Sequence, residues 1–369
     1  MSEAHRLPTG ESRSATWPTV DVIVVLWRSL PYLRDLFEGL VRLDYPRDRV
    51  TVHIVDNASP DGSAGYVKSV LANPPADLPK VVLREAGSNT GFAGGNNLVM
   101  RASTADYCYL LNHDAAFEPG TLCEAVAVAE ANPKAGSVQS LLVLMQDPKT
   151  INSTGNDIHF AAFGYCRGYK QPMSDAPADV QPIGYASGAG VLYRNSVLRE
   201  VGRLDETLFV YHEDLDLGWR MMIAGYDNLL APRSVLRHRY EFSRSIAKWY
   251  WMERNRWAVL LKNYRLGTLF LIFPALVVIE LATWLFALRG GWAREKWRAT
   301  AWFFSPATWR YLVSARRETQ RLRQRRDREI LRRFVSSIAY QDVENRFMRW
   351  LANPLMKVYY AALLNLVMW

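Results

Sequence analysis

Two short stretches carry the side chains best placed to do chemistry: HEDLDLGWR at 212–220 and YCYLLNHDA at 107–115. Glu213, Asp214 and Asp216 are three acids in four positions, more than helix capping requires. Adjacent carboxylates disfavour each other's charge, which lifts a pKa and suits a general base. The plainer alternative is an acid-rich first turn with Asp216 and Arg220 as an i,i+4 pair. Asp114 follows an apolar run. A hard divalent ion held by one carboxylate and two phosphates is the usual arrangement in nucleotide enzymes; a solvated turn residue fits the same position. His238, 24 residues after Asp214, offers an imidazole for that ion or serves the structure. Asp56, in IVDNASPDGS, is either a turn residue or a carboxylate accepting from a pyrimidine N–H. Gly91 and Gly94, in NTGFAGGNN, form a flexible loop or a backbone that must come close to a nucleotide, without the G-x-G-x-x-G spacing of dinucleotide sites. Arg254 and Arg256, in WYWMERNRW, suit a diphosphate or stand exposed on a helix.

These residues need a scaffold that ends several strands together. VDVIVVLW at 20–27 is a near-continuous apolar run, as in a strand buried on both faces of a parallel sheet. Helical spacing over 30–43 follows, with Ser29 as its N-cap. Further strands are expected at 50–56, 80–85 and 106–112, alternating with short helices at "KSVLA" and after the Gly-rich loop. This alternation predicts an α/β sheet with right-handed crossovers. Ligands gather at the C-terminal ends of such strands, so Asp56, the 87–97 loop and Asp114 should share one rim. Residues 187–202 read as a strand and a helix. Residues 211–226 read as a helix begun by acids and closed by Gly225. A short strand then carries His238 near its end.

The chain has 369 residues and three cysteines without paired spacing, which fits a reduced compartment. Residues 1–19 read as a disordered lead-in with no apolar signal segment. Charge is concentrated late. Residues 289–333 hold fourteen Lys/Arg against four acids, a net of +10 beside +9 for the whole chain. Just before them, Leu266–Leu288 is apolar except for Glu280 and long enough to span a bilayer. Pro274 should kink it, and Glu280 is costly at mid-membrane unless paired. Tryptophan interleaved with arginine after an apolar run is an interfacial signature. The segment therefore reads as bound to a membrane surface, well ahead of nucleic acid.

Taken in order, VIVVLW, IVDNASPDGS, NTGFAGGNN, LLNHD, SGAGVLYR, GRLDETLFVYHEDLDLGWR and RNRW resemble the family 2 glycosyltransferases of the GT-A fold. The similarity is greatest to the rhamnosyltransferase-like and galactofuranosyltransferase-like branch and covers about residues 20–262. The resemblance implies a Rossmann-like, mostly parallel sheet with flanking helices at 20–262 and a hydrophobic, basic, membrane-associated helical region at 263–369. It implies Asp56 at the pyrimidine base and Asn57, Asn89, Gly91, Gly94 and Asn97 beside the nucleotide. Asn112 stands where the D-x-D metal motif has its first acid, with Asp114 as the last. His238 matches the imidazole metal ligand and Asp214 the general base with Glu213 beside it, while ERNRW is similar to the Q-x-x-R-W motif of processive polysaccharide synthases with Glu253 in place of Gln. The implied cofactor is Mn²⁺ or Mg²⁺. The implied activity is inverting transfer from a dTDP- or UDP-linked sugar, rhamnose foremost, to a polyprenyl-diphosphate-linked acceptor at the cytoplasmic face of the cell membrane. Two rival classes are a non-catalytic sugar-nucleotide-binding homologue and a basic nucleic-acid-binding protein.

Overall fold

The computed structural model describes residues 17–240, 246–337, 350 and 352–369. The four apolar runs are strands β1 (Val20–Leu26), β2 (Val50–Asp56), β3 (Lys80–Glu85) and β4 (Tyr107–Leu111), parallel in the order β3-β2-β1-β4. Helices α1 (Leu33–Val41), α2 (Ser63–Ala72) and α3 (Gly91–Met100) lie between them in the chain. Register aligns Leu26 with Asp56 and Asp56 with Glu85. The strands therefore stop together and make the expected rim.

Ser29 does not cap α1. Residues 30–32 form a 3₁₀ turn first, and the buried Ser29 hydroxyl accepts from the Trp27 N–H at 2.9 Å. Of the expected lead-in, residues 1–16 lie outside the described residues. Thr19 already bonds Asp106 through its N–H and its hydroxyl, each at 2.8 Å.

The second half of the sheet is built from β5 (Ala115–Phe117), α4 (Thr121–Ala131), β6 (Ala135–Leu144), β7 (Asp147–Ser153), β8 (Asn156–Ile158), β9 (Gly164–Cys166), β10 (Gln181–Pro182), β11 (Gly190–Arg194), α5 (Asn195–Val201), α6 (Glu213–Ile223) and β12 (Asp227–His238). The full order is β10-β12-β6-β11-β4-β1-β2-β3. β11 runs antiparallel to both β4 and β6, β12 parallel to β6, and β5 antiparallel to β12. β12 is a twelve-residue strand, longer than its sequence suggests. Pairing with β5 sets His238 opposite Ala115, one residue beyond Asp114.

Alternation along the strands fills two faces. Val22, Val24, Leu26 and Ile54 belong to one core; Ile23, Val25 and Val55 belong to the other. Each such side chain contributes about 1.5–3 kcal/mol on burial. A third core joins α6 residues Leu215, Trp219, Met222 and Ile223 to the C-terminal helices. These are α7 (Ala247–Asn263), α8 (Leu266–Arg289), α9 (Ala293–Ala301), α10 (Pro306–Arg321), α11 (Asp327–Leu331) and α12 (Asn353–Leu366). The division at 262/263 falls inside this shared core.

Candidate active site

Asp56 ends β2 at the rim. It is 6% exposed, and its carboxylate accepts from the Ser59 N–H at 3.3 Å. Burial pushes its pKa up against that hydrogen bond. Asn57 has a different task. Its Nδ2 donates to Asn89 Oδ1 (3.1 Å) and the Gly91 carbonyl (3.0 Å), and its Oδ1 accepts from the N–H and hydroxyl of Thr90. Its amide is therefore spent on clamping the 89–91 turn.

The glycines of that turn answer to protein neighbours. Gly91 has φ +74°, and a Cβ there would meet the Phe209 carbonyl oxygen at 2.5 Å. A Cβ on Gly94 would meet Thr90 Cβ at 2.7 Å. Asn97 donates to the Leu204 carbonyl and Glu206 Oε1, both at 2.8 Å. It fastens α3 to the loop before α6.

At the end of β4, the Asn112 N–H donates to the Ala189 carbonyl at 3.1 Å. His238 Nδ1 lies 2.8 Å from Asn152 Oδ1, an acceptor, which assigns the ring proton to Nδ1. Nε2 then presents its lone pair 3.3 Å from Asp114 Oδ1 and 3.4 Å from Asn112 Nδ2. Asp114 Oδ1 is buried with no hydrogen-bond donor. A lone pair and an orphaned carboxylate oxygen facing each other are a donor set that a divalent cation fits. Among the described residues no third His, Cys, Asp or Glu joins them. Such an ion would draw its other ligands from phosphate and water.

Asp214 stands in the first turn of α6. Its Oδ1 accepts from the Leu215 N–H at 2.8 Å and its Oδ2 from the Gly188 N–H at 3.2 Å. Burial still pushes its pKa up to about 6. The buried Glu213, with Oε2 unpartnered, is raised well above the usual range by burial and by the Asp214 charge. Asp216 is structural, bonded to Arg220, Lys262 and Asn263. The loop entering α6 is strained, with φ of 64°, 65° and 69° at Phe209, Tyr211 and His212. Asn255 holds it, donating to the carbonyls of Leu208, Val210 and Tyr211 at 2.7–3.0 Å.

The two arginines expected at a diphosphate are committed elsewhere. Arg254 is sandwiched by Trp251 and Trp302, 4.4 and 4.9 Å from the ring centroids, and donates to the Thr207 carbonyl. Arg256 is 1% exposed and pairs with Glu253 and Glu280, each at 3.1 Å. Both guanidiniums serve helix packing around α7. Conversely, Asn152 and Gly188 were not expected as site residues, and Asn255 was noted only beside the two arginines. Gly188 lay within the matched SGAG stretch, and Asn255 between the two arginines. Asn152 carried no sequence signal, because its partner is 86 residues away.

The mostly parallel sheet brings a metal-compatible pair, Asp114 and His238, to the end of β4, and the 188–189 loop links that end to Asp214. The family model described as "Glycosyltransferase like family 2" matches residues 18–259. The chain belongs to that family. A beta-monoglucosyldiacylglycerol synthase of Synechocystis sp. is 26% identical over 256 residues, covering 69% of this chain and 50% of that protein. An N-acetylglucosaminyl-diphospho-decaprenol L-rhamnosyltransferase of Mycobacterium tuberculosis is 27% identical over 246 residues, covering 59% of this chain and 75% of that protein. The chain thus spans about half the length of the first relative. Among solved structures, a mannosyltransferase from Pyrobaculum calidifontis with GDP-Man and Mn²⁺ aligns with TM-score 0.52 at 17% identity, over 96% of this chain and 89% of that one. GalNAc-T7 with UDP, GalNAc and Mn²⁺ aligns with TM-score 0.53 at 12% identity, over 68% and 49%. The fold is GT-A.

Proposed function

We propose that the protein is an inverting, metal-dependent glycosyltransferase that moves a sugar from a nucleoside diphosphate to a hydroxyl of a lipid-linked acceptor. The observation that carries this is Asp214: a carboxylate raised to about 6, tethered by Gly188 to the loop that also holds Asn112. Asp214 takes the proton of the acceptor hydroxyl, and that oxygen attacks the anomeric carbon from the face opposite the leaving group. The C–O bond to the nucleoside diphosphate breaks with its electron pair, and the configuration inverts in one displacement. Buried Glu213, favouring its neutral form, avoids a second full charge beside the base. Asp56 accepts from the pyrimidine base. Asp114 and His238 would hold Mn²⁺ or Mg²⁺, which supplies positive charge against the diphosphate when bound.

The donor is a dTDP- or UDP-sugar, rhamnose first among the candidates. The acceptor is a polyprenyl-diphosphate-linked glycan, met at the cytoplasmic face of the cell membrane. The decaprenol-linked rhamnosyltransferase relative and the apolar C-terminal helices support that choice. The test is a thermal-shift panel of nucleotide sugars with and without Mn²⁺, followed by transfer assays on polyprenyl-diphosphate-linked sugars with the product anomer assigned by NMR. Stabilisation by no nucleotide sugar, or a retained anomeric configuration, overturns the reading.

A further inference from the structure

α8 has the length and apolarity of a membrane span: 24 residues, about 36 Å at 1.5 Å per residue. Its neighbours rule that orientation out. α8 folds back on α7 as an antiparallel partner. Trp249 of α7 meets Phe286 of α8, with ring centroids 5.8 Å apart, while Arg256 and Trp257 both reach Glu280 at 3.1 Å. Nearer the α8 N-terminus, Asp327 accepts from the Arg265 N–H and the Thr268 hydroxyl, and Trp369 donates to Thr268 at 3.0 Å. Lys296 of α9 closes the middle, 2.8 Å from Glu280 and 3.0 Å from the Thr283 hydroxyl. α8 is thus tied to its neighbours by polar contacts at Thr268, Glu280 and Thr283 and by a ring contact at Phe286.

The partner decides the geometry. α7 carries five charged side chains, Lys248, Glu253, Arg254, Arg256 and Lys262, all buried against protein, and it holds the loop that enters α6. Charges at mid-bilayer are costly, and α7 cannot be carried through the hydrocarbon beside α8. The opposite side of α8 is bare. Leu266, Phe270, Phe273, Val278, Leu281 and Leu288 are each 60–79% exposed, and Leu355 and Val358 of α12 add 61% and 72%. Tyr359 of α12 bonds the Leu271 carbonyl, so the two helices adjoin.

The geometry points to α8 lying in the plane of an anionic bilayer surface, its outer face sunk into the headgroup–acyl boundary, with no segment of α8 crossing. Charge complementarity selects the occupant: in the segment that follows, Arg289, Arg294, Arg310, Arg317, Arg321 and Arg332 are exposed, and each basic residue near anionic lipid adds about 1 kcal/mol of attraction. Exposed Trp297 and Phe304, ring centroids 6.5 Å apart, supply interfacial aromatics within that segment.

Nitroxide labels placed singly at positions 266, 270, 278, 281 and 288 of the full chain, bound to phosphatidylglycerol-containing vesicles, read the depth along α8. The parent chain, with its own three cysteines, is the background. All five labels should sit at one shallow depth, about 5–10 Å below the phosphates. A label at 278 near the bilayer centre, about 15 Å deep, with 266 and 288 at opposite interfaces is the signature of a span and overturns the inference. So does absence of lipid contact at every label, with a second copy covering the face in solution. As a second measurement, Phe270→Glu with Val278→Glu should cut partitioning into these vesicles by about tenfold or more, leaving nucleotide binding unchanged. Unchanged partitioning also overturns it.

Discussion

Asp214 and Asn112 are fastened to consecutive residues of one loop. Asp214 Oδ2 accepts from the Gly188 N–H at 3.2 Å, and the Asn112 N–H donates to the Ala189 carbonyl at 3.1 Å. The proposed base on α6 and the proposed metal motif at the end of β4 therefore share a rigid backbone link. A Cβ at Gly188 would meet the Phe92 ring at 2.8 Å, so the loop cannot drift toward α3. That coupling lets each half of the site be tested separately.

Asp214→Asn keeps the side-chain shape and one of the two oxygen acceptors for the Leu215 and Gly188 N–H groups, and removes the base. Transfer should fall by a factor on the order of 10² to 10⁴ while donor binding persists. In the parent, the rate should decline as pH drops through about 6, because protonated Asp214 accepts no proton. Stability moves the other way. A carboxyl raised from 3.8 to about 6 in the fold contributes stability that is full below 3.8 and lost as pH rises through about 6. The parent should thus lose stability as pH rises from about 4 through about 6, and Asp214→Asn should lack that pH-dependent loss. A parental transfer rate in the variant would place the base elsewhere.

Asn255→Ala releases three carbonyls of the strained 208–211 segment. The unsatisfied groups should cost about 1–3 kcal/mol of stability. A kcat loss larger than any change in nucleotide affinity is expected, since the loop sets the first turn of α6. Urea melts and paired kcat and Kd measurements check both parts. Equal losses in the two would point to general unfolding instead.

Much of this was readable in the chain, and the exceptions have physical causes. β1, β2 and β4 stood out because strands buried on both faces are near-continuous apolar runs, and the edge strand β3 by its short VVL core. β6 and β7 did not, because their interior positions include Ser137, Gln139, Ser140 and Asn152, whose partners such as Ser234 and Asn228 are distant in sequence. Arg254 and Arg256 looked like ligand contacts because an arginine carries no local mark of the tryptophans or glutamates that will enclose it. α8 left a span and a surface helix equally open for a related reason. Its inner face packs on protein and its outer face is bare, both are apolar, and periodicity cannot separate them.

Arg256→Ala distinguishes packing from ligand binding. It leaves Glu253 buried beside Lys296 alone and strips Glu280 of one of its cations. Breaking a buried network in this way typically costs about 3–5 kcal/mol. The melting temperature should fall, while nucleotide Kd, measured where the fold persists, should hold. A selective loss of nucleotide affinity with unchanged melting would return Arg256 to the diphosphate.

The pair at His238 and Asp114 gives the sharpest test of metal binding. In the neutral ring with Nδ1–H directed at Asn152, Nε2 carries the lone pair and lies 3.3 Å from Asp114 Oδ1. A turn aspartate would tolerate Asn with little consequence. A metal ligand would not, because Asn112 offers only an amide and Asp114 is the one anionic oxygen of the motif. Asp114→Asn should abolish the Mn²⁺-dependent tightening of nucleotide binding and leave the fold intact. Asn152→Ala frees the ring to change tautomer and should weaken that tightening by about 10–100-fold, the usual scale for losing a partner that orients a ligand. Asn112→Asp adds a carboxylate beside Nε2 and should strengthen it. Calorimetric titration of the nucleotide with and without Mn²⁺ measures all three. If Asp114→Asn keeps the parent's metal dependence, Asp114 is a turn residue and the cation is held elsewhere.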